Sequence, residues 1–433
     1  MKTAAVGIDF GTTNSSVAFL NGSRHVELAC FSMNGQPIES YRSLLYLEQV
    51  RERGINALKS WSGPAGIEHY LLGEGRGRLM QSLKSFLTNR GLQATEVFGR
   101  RQRLEWLVAR ILKDLREKAE TQLGIRIRRA VVGRPVQFVG AENEDDNQHA
   151  EERLREAFQI AGYESVEFDL EPVAAARYYE STLDRDQLIL IGDFGGGTSD
   201  FSLLRVGPGV LARGRSDSDL LGNAGVGVAG DAFDAKIIRH LVAPALGYGS
   251  ELRSMDKVLS VPSWVYTRLE RWHQLSFLKA KDILEMLRGV EAEALEPEKI
   301  KALIHLVRRD LGFHLHCAVQ EVKSELSCKD EATFEFSDGY IELRALLTRS
   351  VFESWIADDL SRIQMCVDSL LAYAGVPQQA VDAVFLTGGS SFVPAVRQIF
   401  DDRFGVDKIK TGNAFSSVAY GLALRAAEGR SVL

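Results

Sequence analysis

The sequence of 433 residues has little cysteine, no long apolar run and no excess of positive charge. Its four cysteines lie at positions 30, 317, 328 and 366 without a C-x-x-C pair, which is typical of reduced thiols in the cytoplasm. No stretch approaches the roughly 18 apolar residues of a membrane-spanning helix. Asp9 interrupts the first apolar run too early for a signal peptide. With a net charge of −6, we expect a cytoplasmic protein that binds neither nucleic acid nor a membrane.

What the sequence does contain is an internal repeat. Residues 6–20 read VGIDFGTTNSSVAFL and residues 190–204 read LIGDFGGGTSDFSLL. Aligned without gaps at an offset of 184 residues, Asp9 matches Asp193 and Gly11 matches Gly195. This spacing is too long for a solenoid repeat. It therefore predicts two related halves in a chain long enough for several core-forming units.

Each copy predicts a β-hairpin that can hold phosphate. An apolar strand ends in Asp, a turn of Gly, Thr and Asn follows, and a second apolar strand closes the hairpin. Glycine lets backbone N–H groups approach an anion closely. One such turn is equally consistent with an ordinary hairpin. Two matching copies favour a nucleotide held between two facing turns.

The rest of the chain alternates predicted helices and strands. We predict helices over 104–119, 151–161, 233–245, 394–404 and 414–427, and strands over 126–132 and 383–386. We predict a solvated loop for the acidic run 142–146 and a glycine-rich loop for 222–230. The Gly-Gly turn after the strand at 383–386, followed by a helix with proline in its first turn, is typical of an anion or nucleotide site.

Three segments carry a resemblance to a known family. GIDFGTTNS, GDFGGGTSD and LTGGSSFVP resemble the nucleotide-binding motifs of the DnaK-type heat-shock chaperones, within the actin-like ATPase superfamily. More narrowly, KSFL at 84–87, GRPV at 133–136 and LEPVAA at 170–175 resemble the YegD group, which has the ATPase region alone.

The resemblance implies a two-lobed actin-like α/β fold of duplicated ribonuclease-H-like domains with inserted subdomains. Lobe I would span 1–187 with an insertion at about 31–103, and lobe II 188–405 with an insertion at about 230–358. A C-terminal helix within 406–433 would return to lobe I, and no peptide-binding domain would be present.

The resemblance also implies ATP or ADP with magnesium, and it assigns roles to matching residues. The hydrated metal would be held by Asp9 and Asp193. Catalysis would use Lys84, Glu171, Asp200 and Thr198. The nucleotide would contact Gly11, Thr12, Thr13, Asn14, Gly195, Gly196, Gly197, Thr198, Gly230, Gln320, Lys323, Ser327, Gly388, Gly389, Ser390 and Phe392.

Some of these residues have simpler interpretations or depart from the family. Lys84 could be a surface charge, and Glu171 could merely favour the start of a helix. Phe392 stands where the family has an Arg that stacks on adenine, and Gln320 where it has a Glu that bonds the ribose. These two departures concern the nucleoside, whereas the residues expected around phosphate and magnesium match the family.

The function that this pattern predicts is a heat-shock-like ATPase that hydrolyses ATP slowly and uses its nucleotide state as a conformational switch acting on a protein partner or co-chaperone. A nucleotide sensor with little or no hydrolysis is the alternative. A small-molecule kinase of the same superfamily is less favoured, because Lys84 and Glu171 follow the chaperone pattern. An actin-like filament former is a further alternative, which sedimentation with and without ATP would test.

Overall fold

The structure is a computed structural model that describes residues 2–21, 25–33, 35–52, 55–73, 77–254, 257–412 and 416–428. The chain divides into two compact units. The first unit comprises the described residues up to Gly230 and from Leu360 onward, and the second is Asp231–Asp359. Within the described ranges, no helix has the length and apolar character that crossing a bilayer requires.

The strands are, in chain order, β1 Lys2–Phe10, β2 Asn14–Leu20, β3 Val26–Leu28, β4 Phe31–Met33, β5 Gln36–Ile38, β6 Tyr41–Arg42, β7 Leu44–Glu52, β8 Ile55–Ser62, β9 Arg78–Gln81, β10 Ala94–Val97, β11 Arg100–Arg103, β12 Ile125–Arg134, β13 Ser165–Leu170, β14 Gln187–Phe194, β15 Ser199–Val206, β16 Leu220–Val226, β17 Glu251–Ser254, β18 Lys257–Ser260, β19 Glu331–Ser337, β20 Glu342–Thr348, β21 Ala383–Thr387 and β22 Ile409–Thr411.

The helices are α1 Gly63–Leu72, α2 Leu104–Leu123, α3 Glu144–Ile160, α4 Glu171–Glu180, α5 Pro208–Arg213, α6 Gly230–Ile237, α7 Ala243–Ala245, α8 Trp264–Glu270, α9 Lys281–Glu293, α10 Pro297–Arg308, α11 Gly312–Leu326, α12 Arg349–Ala374, α13 Pro394–Phe404 and α14 Ser417–Glu428. Short 3-10 turns include Leu83–Phe86 and Gly389–Phe392, and Ile238–Val242 is a π-helix.

Two sheets of the first unit have the same construction. One has the strand order β13-β12-β1-β2-β3, and the other has the order β22-β21-β14-β15-β16. In the first sheet β12 lies parallel to β1 and to β13, while β2 lies antiparallel to β1. The second sheet repeats this with β21 parallel to β14 and β22, and β15 antiparallel to β14. The prediction of two related halves is therefore confirmed, and the exact lobe boundaries stay predictions.

The two hairpins also share one register. Asp9 lies opposite Ser16 in the first hairpin, and Asp193 lies opposite Asp200 in the second. Each residue of the second pair follows its counterpart by the same 184 positions as the repeat. Since strand side chains alternate between faces, equal registers place equivalent side chains on equivalent faces. Asp9 and Asp193 thus occupy the same place in each hairpin.

Helices cover both sheets and share cores with them. An apolar cluster packs α2 and α3 against β1 and β12. A second cluster joins β12, α4, β14, β21 and α14 around small residues such as Ala174 and larger ones such as Phe385 and Leu422. Because this second core contains residues of both sheets, it fixes the two hairpins relative to each other.

Helix α14 approaches its neighbours so closely that glycine is required. A Cβ atom on Gly421 would lie 1.7 Å from the carbonyl oxygen of Ala174 in α4. We expect Gly421→Ala to lower the free energy of unfolding by about 2 kcal/mol, because backbone must move to admit the methyl group. Urea unfolding measures this. Gly289→Ala in α9 is the control, since its Cβ would meet open space and should stabilise by about 0.5–1 kcal/mol. A neutral Gly421→Ala would contradict this packing.

Several predicted elements are confirmed and others are wrong. The helices at 104–119 and 394–404 and both predicted strands are present. The acidic run is not all loop, because α3 begins at Glu144 and Asn143 caps it by accepting from the Asp146 N–H at 3.0 Å. Acidic side chains in the first turn also stabilise a helix, because their negative charge interacts favourably with the positive end of the helix dipole.

Two further segments differ from expectation. Much of the predicted glycine-rich loop is strand β16, which gains a ladder with β15. The predicted helix at 233–245 is present only with a π-helical interruption at Ile238–Val242. The predicted helix over 414–427 is observed as Ser417–Glu428, and positions 414 and 415 lie outside the described residues.

Candidate functional site

The turns of the two hairpins lie close together. The N–H of Gly195 donates to the Thr198 carbonyl at 2.9 Å and closes the second turn. A Cβ placed on Gly197 would lie 4.0 Å from Oγ1 of Thr12 in the first turn. Both turns leave polar groups partly exposed, including Thr13 and Asn14. The structure therefore brings the predicted phosphate-contacting residues of the two halves, Gly11–Asn14 and Gly195–Thr198, to one place.

Lys84 and Glu171 form a buried ion pair beside the hairpins. Nζ of Lys84 donates to Oε1 of Glu171 at 2.8 Å, and the two residues are 7% and 9% exposed. Lys84 lies on the 3-10 turn Leu83–Phe86, and Glu171 begins α4 directly after β13. Neither residue is a solvated surface charge, so the simpler interpretation of Lys84 is wrong.

Three more carboxyl groups surround this pair. Burial, followed by repulsion from Glu171, raises the pKa of Asp9 to about 7, and the charge of Lys84 partly opposes that rise. The pKa of Asp193 is raised well above its usual value by burial and by repulsion from Glu171, Asp9 and Asp200. Such mutual repulsion requires the carboxyl groups to be close neighbours. The two hairpins thus deliver their aspartates to a single acidic cluster.

Backbone donors hold Asp200 in this cluster. Oδ1 of Asp200 accepts from the N–H groups of Val136 at 2.8 Å and Gln137 at 3.3 Å, just after β12. These bonds and one from Thr198 favour the charged carboxylate, but burial and Glu171 outweigh them and raise the pKa of Asp200 to about 7. No side-chain motif signals a backbone donor, so the sequence did not indicate Val136 or Gln137.

Strand β6 and the residue after it support the first turn. The Ser43 N–H donates to the Thr13 carbonyl at 2.9 Å, and Nη1 of Arg42 lies 3.5 Å from Oδ1 of Asn14. The sequence did not indicate Arg42 as a residue of the site, because Arg42 lies outside every matched motif. Its guanidinium adds positive charge beside the turn that the resemblance assigns to phosphate.

The third motif follows β21 and needs glycine at its first turn position. Gly388 has φ +84°, and a Cβ there would lie 2.1 Å from the carbonyl oxygen of Phe194. Oγ of Ser391 donates to the Gly388 carbonyl at 2.6 Å, while Ser390 is buried. Phe392, in contrast, is 51% exposed. Gly388 and the 3-10 turn Gly389–Phe392 thus form a closely packed loop that ends in an accessible aromatic ring.

The remaining predicted nucleotide residues are Gly230, which begins α6, and three residues of the second unit on or beside α11. Nζ of Lys323 lies 2.6 Å from a carboxylate oxygen of Asp234, and Oγ of Ser327 donates to the Lys323 carbonyl at 3.2 Å. Gln320 lies one turn before Lys323 on α11. The ion pair with Asp234 was not predicted, because nothing in the spacing relates α6 to α11.

The oxygen ligands of the acidic cluster fit a hydrated magnesium ion. Carboxylate oxygens are hard ligands of the kind that Mg²⁺ prefers, and Mg²⁺ commonly keeps several waters. Within the part of the chain that the structure describes, no three His, Cys, Asp or Glu side chains form a direct metal cage. Asp9 and Asp193 each supply a carboxylate of this kind from one of the two hairpins. The raised pKa values of Asp9 and Asp193 are consistent with a cation at this place, since a cation would offset both the burial of their charges and the repulsion from Glu171.

The raised pKa of Asp200 predicts a pH-dependent stability. Unfolded Asp200 ionises near pH 3.8, whereas folded Asp200 ionises near pH 7. Between these values the native state binds the extra proton, so its contribution to stability is present below about pH 4 and lost as the pH rises through 7. We expect Asp200 to remove about 2 kcal/mol of stability from pH 5 to pH 7 in magnesium-free protein.

Urea unfolding at both pH values, compared with Asp200→Asn, measures this contribution. The neutral variant should lose less stability over the same interval. Equal losses in the two proteins would show that Asp200 does not titrate there.

Comparisons with known proteins identify a family profile and curated relatives that match most of the chain. Residues 87–258 and 308–429 match the profile of the family described as "Hsp70 protein". The chain is 26% identical to the chaperone protein DnaK of Thermosipho africanus and to that of Deinococcus proteolyticus, in each case over 98% of this chain and 59% of the relative. It thus spans about three fifths of the length of the curated relatives that it matches.

The class that the duplicated sheets and these matches define is the actin-like ATPase fold, a mixed α/β architecture. The chain belongs to the Hsp70 family, because the family profile matches more than half of it. It is a chaperone-related protein, and its similarity to the DnaK-type relatives extends over 98% of its own length. The narrower resemblance to the YegD group stays a prediction.

Proposed function

We propose that the chain binds Mg-ATP between its two hairpin turns, hydrolyses it slowly and uses the change of nucleotide as a conformational switch. The observation that supports this most is the acidic cluster around Lys84, in which Asp9 and Asp193 hold equivalent places in two hairpins of equal register. A cluster of this charge needs a cation, and the two turns supply the polar groups that phosphates need.

Each side chain of the cluster has a proposed task. Asp9 and Asp193 hold the hydrated magnesium ion, which when bound neutralises charge on the β- and γ-phosphates. Thr12, Thr13 and the N–H groups of the second turn position the phosphates. Lys84 places its ammonium group where negative charge develops on the γ-phosphate.

Glu171 and Asp200 act on water. A carboxylate that accepts a hydrogen bond from water orients its oxygen for in-line attack on the γ-phosphorus. The bond from that phosphorus to the β–γ bridging oxygen then breaks, and one proton of the water passes to the carboxylate and then to solvent. The products are ADP and inorganic phosphate. Thr198 supports Asp200 through its hydrogen bond. No covalent intermediate with the protein is needed.

The nucleoside end carries the departures from the family. We propose that Gly388, Gly389 and Ser390 line the adenosine side and that the exposed ring of Phe392 stacks on the base without contributing a cation. Gly230, Gln320, Lys323 and Ser327 stay predicted contacts of the nucleoside. The resulting switch would act on a protein partner or co-chaperone of a kind that the sequence does not specify.

The ion pair between Lys84 and Glu171 favours a second candidate function. Lys84 must leave Glu171, or share its ammonium group with it, to reach the γ-phosphate, and a buried pair at 2.8 Å resists that change. A nucleotide sensor that binds ATP with little hydrolysis is consistent with this geometry.

Calorimetry and phosphate release together test these proposals. The purified chain is titrated with ADP and with ATP in millimolar magnesium and again with excess EDTA, and phosphate is followed without any acceptor molecule. Binding that needs magnesium with slow phosphate release supports the ATPase. Binding without release supports the sensor. The absence of binding in magnesium would refute both proposals.

A further inference from the structure

A buried arginine outside the acidic cluster holds the segment that carries Lys84. Arg153 lies on α3 and is 7% exposed. Its Nη1 donates to the carbonyl oxygens of Phe86 at 3.4 Å, Leu87 at 3.2 Å and Asn89 at 3.2 Å, and its Nη2 donates to that of Leu92 at 3.0 Å. One side chain thus binds four carbonyls in the stretch 86–92, which begins two residues after Lys84.

Glu105 fixes the direction of this guanidinium. Oε1 of Glu105, on α2, accepts from Nε of Arg153 at 2.5 Å, and Glu105 is 4% exposed. A buried carboxylate on the Nε side leaves the Nη groups to face the 86–92 stretch. We call Arg153, Glu105 and the four carbonyls the arginine clamp.

The backbone bonds within the segment are of short range, and the arginine clamp ties the segment to α2 and α3. Ser82, just before the 3-10 turn, has the left-handed φ of +55° that side chains other than glycine adopt at a cost. The turn itself is held by short-range bonds such as Ser85 N–H to the Ser82 carbonyl at 3.0 Å and Leu87 N–H to the Lys84 carbonyl at 3.3 Å. The Phe86 and Asn89 carbonyls also accept from the N–H groups of Asn89 at 3.1 Å and Leu92 at 3.2 Å. The clamp adds a buried guanidinium donor to these two carbonyls and to those of Leu87 and Leu92.

We infer that Arg153 is a positioning residue for Lys84, so that the packing of α2 against α3 sets where the ammonium group of Lys84 stands relative to Glu171. The inference rests on the proposed role of Lys84 at the γ-phosphate. Arginine is required, because its planar fork presents five donors in fixed directions, whereas lysine offers a compact ammonium that cannot span four carbonyls and a carboxylate. A small displacement of a catalytic group can lower a rate by orders of magnitude.

The test uses Arg153→Lys in the full chain with two measurements. In nucleotide-free protein, hydrogen exchange of the amides of Ser85, Leu87, Asn89 and Leu92 should become at least about tenfold faster, because the opening of a local segment sets that rate. In single-turnover experiments the hydrolysis rate per bound ATP should fall by about tenfold or more, while the Kd for Mg-ADP stays within about twofold.

Two variants separate positioning from general damage to the fold. Arg155→Lys is the matched control, since Arg155 lies on the same helix but donates to the Val166 carbonyl and to Glu151; it should leave both measurements unchanged. Glu105→Gln keeps the volume and should change both in the same direction as Arg153→Lys, but less. A loss of folded protein alone would lower the binding stoichiometry and leave the rate per bound site unchanged.

The outcomes distinguish this inference from the proposed function. Unchanged exchange in Arg153→Lys, an unchanged rate per bound site, or equal effects of Arg155→Lys would overturn the positioning role. If the wild-type chain binds no nucleotide or releases no phosphate, the proposed ATPase fails, and hydrogen exchange then shows whether the clamp holds the segment at all. Faster exchange with an intact rate would leave the clamp as a support of the fold and refute the inference.

Discussion

Lys84→Ala is expected to lower the single-turnover rate of ATP hydrolysis by about 10²- to 10³-fold while binding of Mg-ADP persists. The reason is that Lys84 places a positive charge in the cluster, and negative charge grows on the γ-phosphate as the proposed reaction proceeds. ADP lacks that phosphate and should therefore be affected far less. The rate is measured as phosphate formed from a single loading of ATP, and the affinity by calorimetry.

Controls for Lys84→Ala must separate the loss of the ammonium charge from destabilisation caused by the unpaired Glu171. Removing Lys84 leaves a buried carboxylate without its ion-pair partner, which can destabilise the fold. Lys84→Met keeps much of the volume and should give the same rate loss. Lys113→Ala removes a lysine that pairs with Glu117 on the exposed face of α2 and should change nothing. Turnover in Lys84→Ala equal to that of the wild type would remove Lys84 from the mechanism.

The parts of the site that the sequence predicted are those that depend on the repeat. Asp9 and Asp193 stand at the same position of the repeat, at the end of an apolar run and before Phe-Gly. The same local sequence therefore predicts the same placement of the aspartate in each hairpin. Equal register then follows, because the last paired residues of each hairpin, Phe10 with Ser15 and Phe194 with Ser199, are separated by the same number of positions. The same reasoning applies to the third motif, where a strand, a Gly-Gly turn and a proline determine the local path of the chain.

The remaining parts depend on contacts between distant segments. Val136 and Gln137 bind Asp200 through backbone N–H groups, which carry no side-chain signal. The pair of Lys323 with Asp234 and the bonds of Arg153 join residues with no fixed spacing. Strand β16 was missed for another reason, since its glycines indicate a loop by local preference and tertiary pairing with β15 overrides that preference.

The carboxylates proposed to bind magnesium are expected to destabilise the native state when no cation is bound. Asp193 is the clearest case. Burial, Glu171, Asp9 and Asp200 all raise the pKa of Asp193, so its charged form is costly in the absence of a cation. A neutral side chain of the same shape would remove that cost. It would also remove one of the two charges proposed to attract the hydrated magnesium ion.

Asp193→Asn is therefore expected to weaken binding of Mg-ADP by about 100-fold and at the same time to raise the melting temperature of the nucleotide-free protein at pH 8. Thermal unfolding with and without Mg-ADP measures both effects, because a ligand stabilises the native state only when its concentration exceeds its Kd, and the stabilisation grows with the logarithm of that ratio. The melting temperature of the wild type should rise strongly with Mg-ADP, and that of Asp193→Asn almost not at all.

Asp184→Asn is the control, because it changes an exposed carboxylate before β14 and should behave as the wild type. If Asp193→Asn keeps the full magnesium-dependent shift, the second hairpin does not hold the metal. If Asp193→Asn has a lower melting temperature than the wild type without ligand, the charge of Asp193 does not destabilise the native state.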